Sequence, residues 1–200
     1  MIRRRRMYRN FTDRSVDPSV VDTLLDQARR APSAGHTQGW AWLALEGPEQ
    51  TRRFWEADAD PAWLAAPNHP GLLRDPVILV PWTNPAAYEA RYGEADKARQ
   101  GRPGGVTGPA VPNWPVPWWH VDLAFAVMIV LLGATDLGLG ALFFALHGDP
   151  ARLAGTFGVP PEWRPLGAIA LGWPVAGDPP SRSAARGRRP AAEVVHRGGW

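Results

Sequence analysis

The chain reads as a sandwich of helices on a β-sheet, of the α+β or α/β kind, and three observations lead there. Apolar runs of strand length, at Trp40 to Leu45, Val77 to Val80, Leu139 to Leu146 and Leu166 to Leu171, alternate with segments of helical period. The pairs Asp17-Pro18 and Asp149-Pro150 mark helix starts, with aspartate as N-cap and proline at the first helical position. Val77-Ile78-Leu79-Val80 has no polar face, which marks a strand covered on both sides. At 200 residues the chain suits one domain, 1–200, large enough to bury a core without staples.

Taken in order, Val20, Val21, Leu24, Leu25 and Ala28 share one helical face. That helix stops before Pro32, which disfavours the helical conformation at Ala31. Pro32 to Gly39 is a loop by composition, Trp40 to Leu45 a strand closed by Gly47-Pro48, and Glu49 to Ala57 a helix. Thr83 to Pro117 is polar and rich in Gly and Pro, the profile of a disordered stretch or a binding lid. Trp119 to Thr135 forms the central helix, and Leu139 to Leu146 and Leu166 to Leu171 are buried strands. Residues 177–187 read as a flexible tail, with Val194-Val195 in a last extended piece.

Composition excludes several chemistries. No cysteine means no disulfide, thiolate metal site or cysteine nucleophile, which suits a reducing, cytoplasmic setting. The 22 basic and 19 acidic residues leave a net charge of +3, weak for a dedicated nucleic-acid binder. Met7 to Arg14 is polar where a signal peptide needs an apolar stretch. The best membrane candidate, Val121 to Leu146, is interrupted by Asp122 and Asp136. Its uncharged run, Leu123 to Thr135, is short of the roughly 20 residues a span needs, so a core helix is expected. There is no Walker loop, GxGxxG, GxSxG or HExxH. His120 near Asp122 and His147 near Asp149 lack metal-site spacing and read as structural. Any enzyme here is expected to leave the chemistry to an organic cofactor, with no metal and no catalytic side chain.

Arginine is concentrated at both ends of the chain: Arg3, Arg4, Arg5, Arg6 and Arg9, then Arg186, Arg188 and Arg189. A guanidinium grips phosphate through two parallel hydrogen bonds. The two clusters either meet around one anionic ligand or remain separate solvated arms.

Five motifs resemble one family in order. Arg5-Arg6-Met7-Tyr8-Arg9-Asn10-Phe11 is similar to the opening Arg-Arg-Ser-x-Arg-x-Phe of the nitroreductase family of FMN-dependent oxidoreductases. Ala31-Pro32-Ser33-Ala34-Gly35-His36-Thr37-Gln38-Gly39-Trp40 resembles its Ala-Pro-Ser-Ala-Gly-Asn-x-Gln-Pro-Trp loop. Asp136 to Gly140 resembles its Gly-Leu-Gly turn, and Arg164 to Pro174, preceded by Gly158-Val159-Pro160, its penultimate strand. Arg188-Arg189-Pro190 with Glu193 to His196 and Trp200 resembles its closing segment.

The resemblance implies an α+β three-layer sandwich: a mostly antiparallel sheet, helices on both sides, and a C-terminal extension toward a partner in a homodimer. It implies FMN as cofactor and NAD(P)H as co-substrate, with Arg5, Arg6, Met7 and Arg9 at the cofactor and Arg186 and Arg188 at its phosphate. Pro32, Ser33, Ala34 and His36 match the loop against the isoalloxazine ring, and Gly138, Leu139 and Gly140 match backbone near it. Small residues at Ser33, Ala34 and Gly35 are expected to let backbone amides approach the ring. Three departures stand out: Met7 for serine, His36 for asparagine, and Gly39 for proline, the last expected to loosen the loop.

Trp114, Trp118 and Trp119, stiffened by Pro112, Pro115 and Pro117, read either as packing at a domain edge or as an aromatic wall over the flavin. Such a wall, with Trp114 and Trp118 at the substrate, suits flat electron-poor acceptors such as nitroaromatics or quinones. Two other readings stand beside it: the same fold using flavin for dehalogenation, flavin destruction or binding without turnover, and a basic module contacting nucleic acid.

Overall fold

The computed structural model describes residues 2–98 and 114–200. Helix α1 (Pro18–Ala28) begins where Asp17 accepts a hydrogen bond from the Ser19 amide. Strand β1 (Trp40–Glu46) leads into α2 (Pro48–Asp58) and the short α3 (Pro61–Ala65). After a 3₁₀ turn at Pro70–Arg74 come β2 (Val77–Thr83), α4 (Pro85–Tyr92) and α5 (Ala95–Ala98). Helix α6 (Trp118–Asp136), β3 (Gly140–Phe144), α7 (Pro150–Phe157), β4 (Arg164–Pro165) and β5 (Ala168–Gly172) follow.

The sheet runs β1-β2-β5-β3 with every neighbour antiparallel, and β4 pairs with β2 off that path. Strand alternation sorts its side chains into two cores. Val77, Leu79, Ile169 and Leu171 face α1 and α6, while Ile78, Val80, Ala168 and Ala170 face α2 and α7. This is the expected three-layer α+β sandwich, and all of β2 is buried, as its unbroken apolar run requires.

Several boundaries differ from expectation. The stretch taken as unstructured carries the end of β2 and then α4 and α5; residues 99–113, including Pro112 of the tryptophan segment, lie outside the described residues. Asn84 caps α4 by accepting from the Ala86 amide, the same cap-plus-proline start as α1, hidden among glycines and prolines. Strand β3 ends at Phe144 rather than Leu146. Val194-Val195 is not extended, because a 3₁₀ turn at Ala191–Glu193 precedes it and Val194 has ψ −7°.

Among the described residues α6 is the one helix long and apolar enough to cross a membrane. One side of it, with Ala126, Val130, Leu131 and Ala134, is packed in the core beside α1. The opposite side leaves Trp118, Phe125 and Met128 exposed.

Candidate functional site

The Pro32–Gly39 loop is tied down at both ends. Ala34 donates its amide to Asp122 Oδ2 at 2.8 Å, and Arg91 Nε donates to the Gly35 carbonyl at 2.8 Å. The Gln38 amide donates to Ser33 Oγ at 3.0 Å. The Gly39 carbonyl accepts from Thr83 Oγ1 at 3.1 Å and from the Asn84 amide at 2.9 Å. Glycine at position 39 therefore does not loosen the loop. A Cβ there would meet the Tyr88 ring at 2.6 Å, so the missing side chain lets Tyr88 pack under the backbone. His36 and Gln38 hold φ of 57° and 52°, unusual for residues with a side chain, and their Nε2 atoms lie 3.0 Å apart.

Asp122 organises this end of the molecule. It is 2% exposed, and its Oδ2 accepts from the Tyr88 hydroxyl at 2.8 Å as well as from Ala34. Burial, and then the bond to Asp122, holds the Tyr88 hydroxyl above the ordinary phenol range, so it remains a donor. Removing the carboxylate would strand two donors, at about 1–3 kcal/mol each. The Ala34 amide is thus spent on Asp122 rather than left free to approach a ring, contrary to expectation. In the sequence Asp122 stands as an interruption of an apolar helix beside His120, and a carboxylate in such a helix is the sign that it needs buried partners.

Pro32, Ser33 and Ala34 meet Trp114 and Trp118 around a cavity of about 560 Å³ that Tyr92, Asp122 and Phe125 also line. Trp114 stands edge-on to Tyr92, ring centroids 4.9 Å apart, and to Tyr88 at 6.4 Å. His36 lies in the same loop but does not line the cavity.

The arginine segment lies elsewhere. Met7 bridges to Ala141 of β3, and the Tyr8 amide donates to the Ala141 carbonyl at 3.0 Å. Arg5 Nη1 is buried with no hydrogen-bond partner among the described residues. Arg6 rests on the Tyr8 ring, 4.1 Å from its centroid, and lies 3.9 Å from Asp178. Asp178, missed in the sequence, also accepts from Asn10 Nδ2 and the Arg9 amide, and so fixes the segment. Gly138, with φ 78°, turns the chain out of α6; the Leu139 amide bonds the Ala134 carbonyl, and Gly140 opens β3. Arg186 and Arg188 are exposed.

The candidate residues thus form two groups, the 32–36 loop with the tryptophans at the start of α6 and the arginine segment with Gly138–Gly140 beyond its end. At 1.5 Å per residue the helix between them runs about 28 Å. A larger cavity of about 1090 Å³ opens between the Asp13–Pro18 segment, α2 and Trp173, lined by none of these residues. Asp75, 2% exposed, forms part of its wall.

A family-wide profile described as "Nitroreductase family" matches residues 2–173, and the chain belongs to that family. A protein of Methanothermobacter thermautotrophicus, provisionally named NADH dehydrogenase/NAD(P)H nitroreductase, is 26% identical over 179 residues, covering 86% of this chain and 75% of that one. The crystal structure of a nitroreductase-like protein from Streptococcus mutans superposes with a TM-score of 0.74 at 14% identity, over 97% of this chain and 94% of that one. A nitroreductase family protein from Clostridium difficile 630 gives 0.70 at 18%, covering 100% and 96%. These structures share the fold.

Proposed function

We propose that the chain is an FMN-dependent oxidoreductase, a single flavin-binding domain that passes electrons from NAD(P)H to an aromatic acceptor in a ping-pong cycle. The observation that carries this is the convergence of Pro32, Ser33 and Ala34 with Trp114 and Trp118 on one pocket. The residues present suit FMN. The buried Arg5 Nη1, without a partner among the described residues, is a donor that an anion would satisfy, and Arg9, Arg186 and Arg188 add charge for the phosphate. Arg6 and Met7 complete that segment, and Gly138, Leu139 and Gly140 bring backbone close. FMN, when bound, supplies hydride and electron transfer at its isoalloxazine ring. The chain's own side chains bind and orient, and none is assigned as general acid or base.

We place the work in a cytoplasmic homodimer, with no nucleic-acid or membrane partner. The two groups of candidate residues lie too far apart for one cofactor to touch both within a chain. Antiparallel docking of α6 on a second copy, through Trp118, Phe125 and Met128, would bring one chain's loop beside the other's arginines. The exposed Val194, Val195 and Trp200 fit an extension reaching the same partner.

The test is the visible spectrum of the purified protein, with NAD(P)H oxidation against a quinone. A yellow protein that releases FMN on denaturation and turns over is the expected result. A colourless protein that also fails to take up added FMN removes the reading. An FMN-loaded protein that oxidises no NAD(P)H points to other flavin chemistry.

Trp114→Ala should raise KM for nitroaromatics about fivefold, the worth of roughly 1 kcal/mol of ring contact. Unchanged kinetics across a substrate panel would confine Trp114 to its packing on Tyr88 and Tyr92.

A further inference from the structure

The pocket at the start of α6 has an unequal lining. Its walls are the rings of Tyr92, Trp114, Trp118 and Phe125, and one of its lining residues is a carboxylate, Asp122. Both donors that reach Asp122 bond Oδ2, and Oδ1 has no partner among the described residues. No arginine, lysine or histidine pairs with Asp122 among the described residues. Arg91, bonded to the same loop, is turned toward Glu94 and Asp96. Lys97 lies 5.6 Å from the Tyr92 ring centroid, a cation already resting on one of these rings, but it does not line the pocket. The negative charge is felt across the site: after burial, Asp122 is the next cause holding the Tyr92 hydroxyl above its ordinary value.

We infer that this pocket selects an aromatic cation as electron acceptor, with Asp122 the specificity-determining residue. The ring faces present their negative quadrupole to a positive charge, and a carboxylate among them, itself 2% exposed, adds Coulomb attraction. A neutral nitroaromatic gains only ring contact there, and an anionic one is repelled. Trp118 and Phe125 belong also to the face assigned to the second copy, so the partner closes the pocket and strengthens this selection. The inference rests on the oxidoreductase reading above for turnover, but not for binding.

Three nitroaromatics that share one reacting group separate the charges: (4-nitrobenzyl)trimethylammonium, 4-nitrobenzyl alcohol and 4-nitrobenzoate. Each reaction balances as nitro compound plus NAD(P)H plus a proton giving nitroso compound, NAD(P)⁺ and water. Two readouts are taken on the purified full chain: calorimetric Kd for each compound and the ratio of kcat/KM for cation over alcohol. The wild type should favour the cation over the alcohol by about tenfold in both, with the benzoate weakest. Asp122→Asn, which keeps shape and removes charge, should bring both ratios close to one. Taking ratios cancels any general damage to the loop. Trp118→Leu should lower the cation's affinity more than the alcohol's, which keeps the test open should the Asp122 variant fold poorly. A wild-type preference for the alcohol, or a cation ratio untouched by Asp122→Asn, would overturn the inference. Selective binding of the cation with no turnover of any compound would instead sink the oxidoreductase reading and leave the pocket's selectivity standing.

Discussion

Arg5→Ala should lose FMN on gel filtration, its Kd weakened about 10- to 100-fold, the worth of a charge-assisted hydrogen bond at 1.5–3 kcal/mol. Arg3→Ala should retain the cofactor, since Arg3 is exposed and Arg5 Nη1 is buried without a partner among the described residues. Arg6 is a poorer probe: it rests on Tyr8 and reaches Asp178, so its loss disturbs the whole segment. Arg188→Ala should behave like Arg5→Ala, on the proposal that both arginines meet the phosphate of the same FMN. Equal FMN content in the Arg3 and Arg5 variants would place the phosphate elsewhere.

Asp75→Asn should change how stability responds to pH. Asp75 Oδ1 accepts from Trp55 Nε1 at 3.1 Å, and Oδ2 has no hydrogen-bond partner among the described residues. Burial pushes its carboxyl up to about 8, and the opposing bond from Trp55 is a smaller influence. The unfolded chain releases this proton near the ordinary aspartate value of 3.8, so between there and about 8 the folded state binds more protons than the unfolded. The contribution of Asp75 to stability therefore falls as pH rises, by up to about 1.4 kcal/mol per pH unit. Asn carries no such proton. The variant should match the wild type near pH 4 and gain a few kcal/mol on it by about pH 8, read from urea unfolding across the window. A constant difference at every pH would mean that Asp75 titrates as an ordinary carboxylate.

Local signals were legible in the sequence, and long-range ones were not. Asp17-Pro18 and Asp149-Pro150 located α1 and α7 because a cap and its helix are neighbours. The same signal at Asp60-Pro61 opens α3, and at Asn84-Pro85 it opens α4, where the glycines and prolines of Thr83 to Pro117 suggested only loop or lid. Resemblance brought the 32–36 loop and the arginine segment into view, and Trp114 and Trp118 stood out by composition. What periodicity could not show is which distant residue pairs with a buried acid. Asp122 meets Ala34 across 88 positions, Asp178 meets Asn10 across 168, and Asp75 meets Trp55 across 20. Each looks like an ordinary polar residue until the fold supplies its partner.

The placing of loop and arginines at opposite ends of α6 has a genetic consequence. On the proposed dimer, two damaged alleles, one altered at Arg5 and the other at Asp122, should rescue each other when expressed together, because a mixed dimer would keep one site assembled wholly from sound halves. Two alleles altered within the same half, at Arg5 and Arg9, should not.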